Sequence, residues 1–180
     1  MVSLIPHYKL IDPAMYMSLN VRMLTGNDIR LLSISHIHTR AYFGGVFAVD
    51  NLPDVNCRNP TFYIVNTDLS SGVGKHWVLI MIINSYSCIE WFDSLNNKPQ
   101  FYHNNLLKFV TRNFRRSYVS NSIQIQSNQS NKCGEFCMYV SDMRCMGCKY
   151  TEIMQTFNET VLSENDVFVM NHLRNHILPM

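Results

Sequence analysis

The chain has 180 residues, 47% of them hydrophobic and 12% aromatic, with 15 Lys and Arg against 13 Asp and Glu. That composition fits one domain with a full core and excludes a disordered chain, and a net charge of +2 gives by itself no reason to expect nucleic acid or a membrane surface as partner. Six cysteines without the dense spacing of a disulfide scaffold, and no signal-like start, imply a reducing compartment rather than secretion. No apolar run approaches the roughly 18 residues of a membrane span.

In chain order, residues 1–25 mix apolar residues and prolines without a clear period, and read as an N-terminal extension partly docked on a single domain over residues 26–180. Thr25-Gly26-Asn27-Asp28 supplies cap chemistry for a short helix through Ile29, Leu31, Leu32 and Ile34. Ala41 to Pro53 reads as an aromatic connection in which Gly44 and Gly45 argue for a turn or a close backbone approach. Three β-branched and aromatic runs follow, Thr61 to Asn66, His76 to Ile83 and Cys88 to Asp93, separated by Ser, Gly and Asn clusters. They predict a mostly antiparallel sheet. Val78 to Ile83 lacks polar alternation, so its strand should be central and covered on both faces, with the Asp68 to Lys75 loop delivering His76 to its start.

After Asn97-Lys98-Pro99 the period turns helical, with Leu106, Leu107, Val110 and Phe114 on one face. Ser122 to Gln126 returns to strand alternation. Behind Cys133, helical runs continue over Glu152 to Val161 and Asn165 to Ile177, with Ile153, Phe157, Val167, Met170 and Leu173 at core spacing. The expected fold class is α+β, a mostly antiparallel central sheet flanked by helices.

The chemistry concentrates where the polar turn Gln126 to Lys132 runs into Cys133-Gly134 and an apolar helical run. A thiol at a helix start feels unpaired backbone N–H groups and the positive end of the macrodipole, both of which favour thiolate. A buried cysteine is more often a small hydrophobe; here His76 and Asp93 upstream change the balance. A cysteine hydrolase needs a base, a carboxylate to orient it and donors for the oxyanion. Asp93 follows an apolar run and should sit where a strand opens to solvent, whereas the competing Glu90 lies in mid-strand. Among Gln124, Gln126 and Gln129, Gln126 stands at the predicted strand's exit, where a donor is held most rigidly.

Smaller patterns carry less. Cys145 and Cys148 have the spacing of a zinc half-site, but no second cysteine pair completes it, and His172 and His176 fit a solvated helix face, so no metal is expected. Lys108, Arg112, Arg115 and Arg116 interleave with aromatics between Lys98 and Tyr118, which suits weak DNA contact, although a charged face opposite an apolar helix stripe is the more ordinary reading.

Taken together, Ala41-Tyr42-Phe43-Gly44-Gly45 with Pro53, Ile64-Val65-Asn66-Thr67, Gly74-Lys75-His76-Trp77, Asp93 and Gln126 through Cys133-Gly134-Glu135-Phe136-Cys137 resemble the adenovirus-type cysteine endopeptidases. These adenain-like enzymes belong to the clan that includes ubiquitin-like-protein-specific proteases. The resemblance implies His76 as base and acid, Asp93 as orienting acid where members often carry Glu, and Cys133 as nucleophile. It implies Gln126 and the Cys133 backbone N–H as oxyanion donors, and Asn66, Trp77 and Gly134 at the substrate, Trp77 being equally suited to core filling. The implied function is cleavage after Gly-containing sites in viral structural precursors during virion maturation. Removal of ubiquitin-like modifiers from host proteins is the alternative, and a non-enzymatic virion DNA-binding protein a second. No cofactor is required by the residues, but the resemblance brings in an activating peptide or DNA. A monomer acting on protein or peptide substrates, in the virion or in the nucleus or cytoplasm of an infected cell, is expected.

Overall fold

The computed structural model describes residues 22–54, 61–84, 88–113 and 118–177. Among these, helix α1 (Gly26–Ser35) precedes strands β1 (Phe43–Ala48), β2 (Thr61–Asn66), β3 (Trp77–Asn84) and β4 (Cys88–Phe92). A 3-10 turn (Pro99–Phe101), helix α2 (Asn104–Asn113), strand β5 (Val119–Ser120) and helices α3 (Cys133–Cys145), α4 (Tyr150–Met154) and α5 (Leu162–Ile177) complete the order. The predicted extension up to residue 21, together with Phe114, Arg115 and Arg116, lies outside the described residues.

The strands form one five-stranded sheet in the order β1-β2-β3-β4-β5. Its centre is antiparallel, β2 with β3 and β3 with β4, while β1 joins β2 and β5 joins β4 in parallel. As the unbroken apolar run predicts, β3 is central and buried on both faces. Trp77, Leu79 and Met81 enter one core with Phe62, Ile64, Phe136 and Val140; Val78, Ile80 and Ile82 enter the other with Leu106, Phe109 and Val110 of α2. The sheet is thus flanked by helices on both sides, the α+β arrangement the pattern calls for.

Local chemistry explains the elements. Thr25 caps α1 and Asp28 reaches back to its N–H at 2.7 Å, a complete capping box that also engages Arg22. α3 is buried along its whole first two turns and more, from Cys133 to Asp142, which fits a helix without an amphipathic stripe.

Three expectations change. Phe43 to Ala48 is a strand rather than a connection. Its glycines serve close approach, since a Cβ on Gly44 would stand 2.4 Å from Cε1 of Tyr63, and Gly45 takes φ +135° at a shift in register. Ser122 to Gln126 is not a strand, because Asn121 ends β5: its Nδ2 donates to the Asp93 and Ile123 carbonyls at 2.7 and 2.9 Å, and the chain then turns so that Ile125 N–H donates to Ser94 O at 2.9 Å. The helical run from Glu152 stops at Met154, and Asn158 interrupts the chain ahead of α5 by accepting from the Thr160 and Val161 N–H groups at 2.8 and 2.9 Å. Val167 accordingly faces outward at 58% exposure, and Val169 takes its place in the core with Leu173.

Candidate active site

Antiparallel pairing of β3 with β4 sets the start of one strand beside the end of the other, so His76, just before β3, meets Asp93, just after β4. His76 Nε2 lies 2.6 Å from Asp93 Oδ1, and Cys133, the first residue of α3, is near enough to the same imidazole to act on its ionisation. With Nε2 taken by the carboxylate, Nδ1 is the ring nitrogen left for the thiol. All three side chains are buried. Burial opposes a charged ring, but the hydrogen bond to Asp93, the nearness of Cys133 and the negative charges on both raise the His76 pKa to about 9.

Asp93 does not open to solvent; it is fully buried. The turn after β4 folds back over it, so that Leu95 N–H donates to Oδ1 at 2.9 Å and Asn97 N–H to Oδ2 at 3.1 Å. Tyr102 completes the set, its hydroxyl donating to Oδ2 while its ring stacks on His76 with centroids 6.0 Å apart and planes 23° from parallel. Burial and the charge of Asp93 push the Tyr102 pKa up, which keeps the phenol a donor. Asn121 fixes the Asp93 backbone from the other side, accepting from its N–H at 3.3 Å. The competing Glu90 is occupied elsewhere by a bidentate pairing with Arg144 of α3 at 2.7 and 2.9 Å.

Gln126 is buried in the segment that lies against Ser94. Its Oε1 accepts from Ser94 Oγ and its Nε2 donates to Ser130 O at 3.0 Å, so the side chain is fixed by its own hydrogen bonds rather than by a strand end. Gln124 instead donates to Gln126 O and Asn128 Oδ1, and Gln129 is exposed. No side-chain cap from Lys132 occupies the N–H groups at the start of α3.

The remaining expected positions have structural work of their own. Asn66 Oδ1 accepts from Asp68 and Lys75 N–H at 2.9 and 3.2 Å, closing the loop that presents His76. Trp77 is 6% exposed and donates from Nε1 to Leu24 O at 2.8 Å. Gly134 is packed by both, since an added Cβ would meet Leu24 at 3.1 Å and Trp77 at 3.4 Å. Trp77 and Asn66 still line a cleft of about 450 Å³ with Val46, Phe47 and Gly74. Cys137 is fully buried, and burial followed by the charge on Cys133 raises its pKa well above the usual thiol value, so it is no rival nucleophile. Burial likewise pushes Cys145 up to about 12. Lys108 and Arg112 border a groove that also holds Asp50 and Asp54.

Tyr102, Asn97, Ser94 and Asn121 were not marked by the sequence pattern as parts of the site. Their types are ordinary for a turn, and only tertiary structure assigns them a role: residues 94–102 return over Asp93, and Asn121 reaches its backbone from the end of β5.

Residues that carry a thiol, an imidazole and a carboxylate close together, at a helix start and two strand ends, define a site able to perform nucleophilic acyl transfer. No family model matches the chain. It is 31% identical over 103 residues to the SUMO-1 cysteine protease of African swine fever virus from a Kenyan pig isolate, over 52% of this chain and 37% of that protein. It is 30% identical over 120 residues to the cysteine protease of the same virus from a Malawian tick isolate, over 61% of this chain and 42% of that protein. The chain therefore spans about two fifths of the length of these curated relatives. A crystal structure of the African swine fever virus pS273R protease superposes with a TM-score of 0.55 at 16% identity, covering 88% of this chain and 68% of the other. The fold is shared with that viral cysteine protease.

Proposed function

We propose that this chain is a cysteine-type endopeptidase of adenain type that cuts viral structural precursors after Gly-containing sites. The observation that carries the reading is the single imidazole held between Asp93 Oδ1 at 2.6 Å and the Cys133 thiol. His76 takes the Cys133 proton, the sulfur attacks the scissile carbonyl, and the oxyanion is met by Gln126 and the N–H groups at the start of α3. His76 then protonates the departing amine. Water enters by the same route, its proton passing to His76, and the acyl group leaves as a carboxylic acid. An activating peptide or DNA, and action in the virion or the infected host cell, belong to the same proposal.

Removal of ubiquitin-like modifiers is the second reading, favoured by the name SUMO-1 cysteine protease that one relative bears. DNA binding as the main role is less supported, because Lys108 and Arg112 share their groove with Asp50 and Asp54. The deciding experiment incubates purified protein, and its Cys133→Ala variant, with a Gly-Gly peptide library and with ubiquitin-like fusions. Internal peptide cleavage that Cys133→Ala abolishes supports the endopeptidase; release of folded modifiers alone supports the isopeptidase; no cleavage of either overturns both.

A further inference from the structure

A second cleft, of about 460 Å³, opens on the flank of the catalytic histidine and is lined by His76, Tyr102, Phe101, Leu95 and Leu69. It lies across the Asp68 to Lys75 loop from the cleft lined by Trp77, and none of its walls comes from α3. Two of its apolar walls are left open to water, Phe101 at 70% exposure and Leu69 at 41%. Large apolar side chains exposed together at the rim of a catalytic group mark a surface that is covered when the site is occupied.

The walls are also held in place. Phe101 meets Tyr102 edge to face, with centroids 5.4 Å apart and planes at 89°, and Tyr102 is itself stacked on His76. Across the cleft, Ser70 anchors the loop to Asp50 through its N–H at 2.8 Å and its hydroxyl at 2.7 Å. The charges on that side, Lys75 and Asp68, neutralise each other at 3.3 Å. The surface left for a ligand is preorganised and mainly apolar and aromatic.

Its place in the reaction comes from the proton path, and here the inference rests on the hydrolase reading. The leaving amine must come to the histidine that protonates it, so the residue bearing that amine lies along the flank of His76 rather than over the start of α3. The geometry points to this cleft as the leaving-group subsite, which takes an aliphatic or aromatic side chain from the residue directly on the amine side of the cut.

The test uses peptides with a fixed glycine on the acyl side and Leu, Phe, Ala, Asp or Lys on the amine side, together with a peptide electrophile that ends at the acyl side and alkylates Cys133. Leu and Phe should be cut with kcat/KM at least about tenfold above Asp and Lys, on the scale of one buried apolar side chain. Phe101→Ala should remove most of that preference, chiefly through KM, and Leu69→Ser should reduce it, while both variants keep the wild-type rate of alkylation. Equal rates for all five amine-side residues overturn the inference, as does a Phe101→Ala variant whose alkylation falls in step with cleavage, since that places the cleft on the acyl side. A wild-type protein that is neither alkylated nor able to cleave overturns the hydrolase reading itself, and this inference with it.

Discussion

At the scale of single residues, the site is a set of side chains whose neighbours leave them few alternatives. Gln126 is pinned by Ser94 and Ser130, so Gln126→Ala should lower kcat by about 10² to 10³, the usual loss for one oxyanion donor, with little change in melting temperature or Cys133 labelling. Gln129→Ala should stay near wild type in the same steady-state assay. Tyr102→Phe keeps the ring against His76 but removes the hydroxyl from Asp93; a kcat loss of about 10- to 150-fold, the worth of a hydrogen bond to a charged group at roughly 1.5 to 3 kcal/mol, is expected. His76 carries a pH signature as well. Its pKa in the folded protein, about 9, lies above the ordinary histidine value, so the stability it contributes is full below about pH 6.5 and is lost as pH rises through about 9. Melting temperatures across that range should fall in the wild type and fall less in His76→Gln; parallel curves would contradict the assignment. The residues that carry reactive groups were legible in the chain because few residue types do such chemistry. Tyr102 and Asn121 were not, because nothing in a tyrosine or an asparagine beside a turn states which carboxylate it will reach.

At the scale of elements, the strongest patterns were the most faithful. The unbroken apolar run of β3 fixed both its place and its double burial, and the Thr25 to Asp28 cap fixed where α1 begins. Errors came where one residue type serves two geometries. Glycine marks turns and also close contacts, and in β1 the second use won because the Tyr63 ring fills the space above Gly44. Alternating residues after Asn121 resemble a strand, yet the Asn121 side chain takes the Asp93 carbonyl and sends the backbone to Ser94 instead. Gly44→Ala should therefore destabilise the protein by about 1 to 3 kcal/mol, the range for overpacking, read as a lower urea midpoint at unchanged slope. A midpoint within error of the wild type would show that Tyr63 has room to swing aside.

At the scale of the whole molecule, the helices on the α3 side of the sheet are tied by one buried carboxylate. Asp142 of α3 lies 2.8 Å from His36 Nδ1, at the end of α1, and 2.8 Å from His172 Nε2 on α5. Asp142→Asn should cost about 1 to 3 kcal/mol through these paired groups, and calorimetry should show it without loss of Cys133 labelling in the folded state. Among the described residues no helix is long and apolar enough to cross a membrane. The β3 and β4 hairpin, finally, has a bearing on assembly. His76 and Asp93 are only 17 positions apart and are joined by neighbouring antiparallel strands, so base and acid come together through short-range contacts, whereas Cys133 arrives only when α3 docks over the sheet. During synthesis the reactive pair without its sulfur is harmless. On the proposed hydrolase reading the reactivity should be acquired as a late event, and in refolding the capacity of Cys133 for alkylation by a peptide electrophile should lag behind the appearance of the sheet.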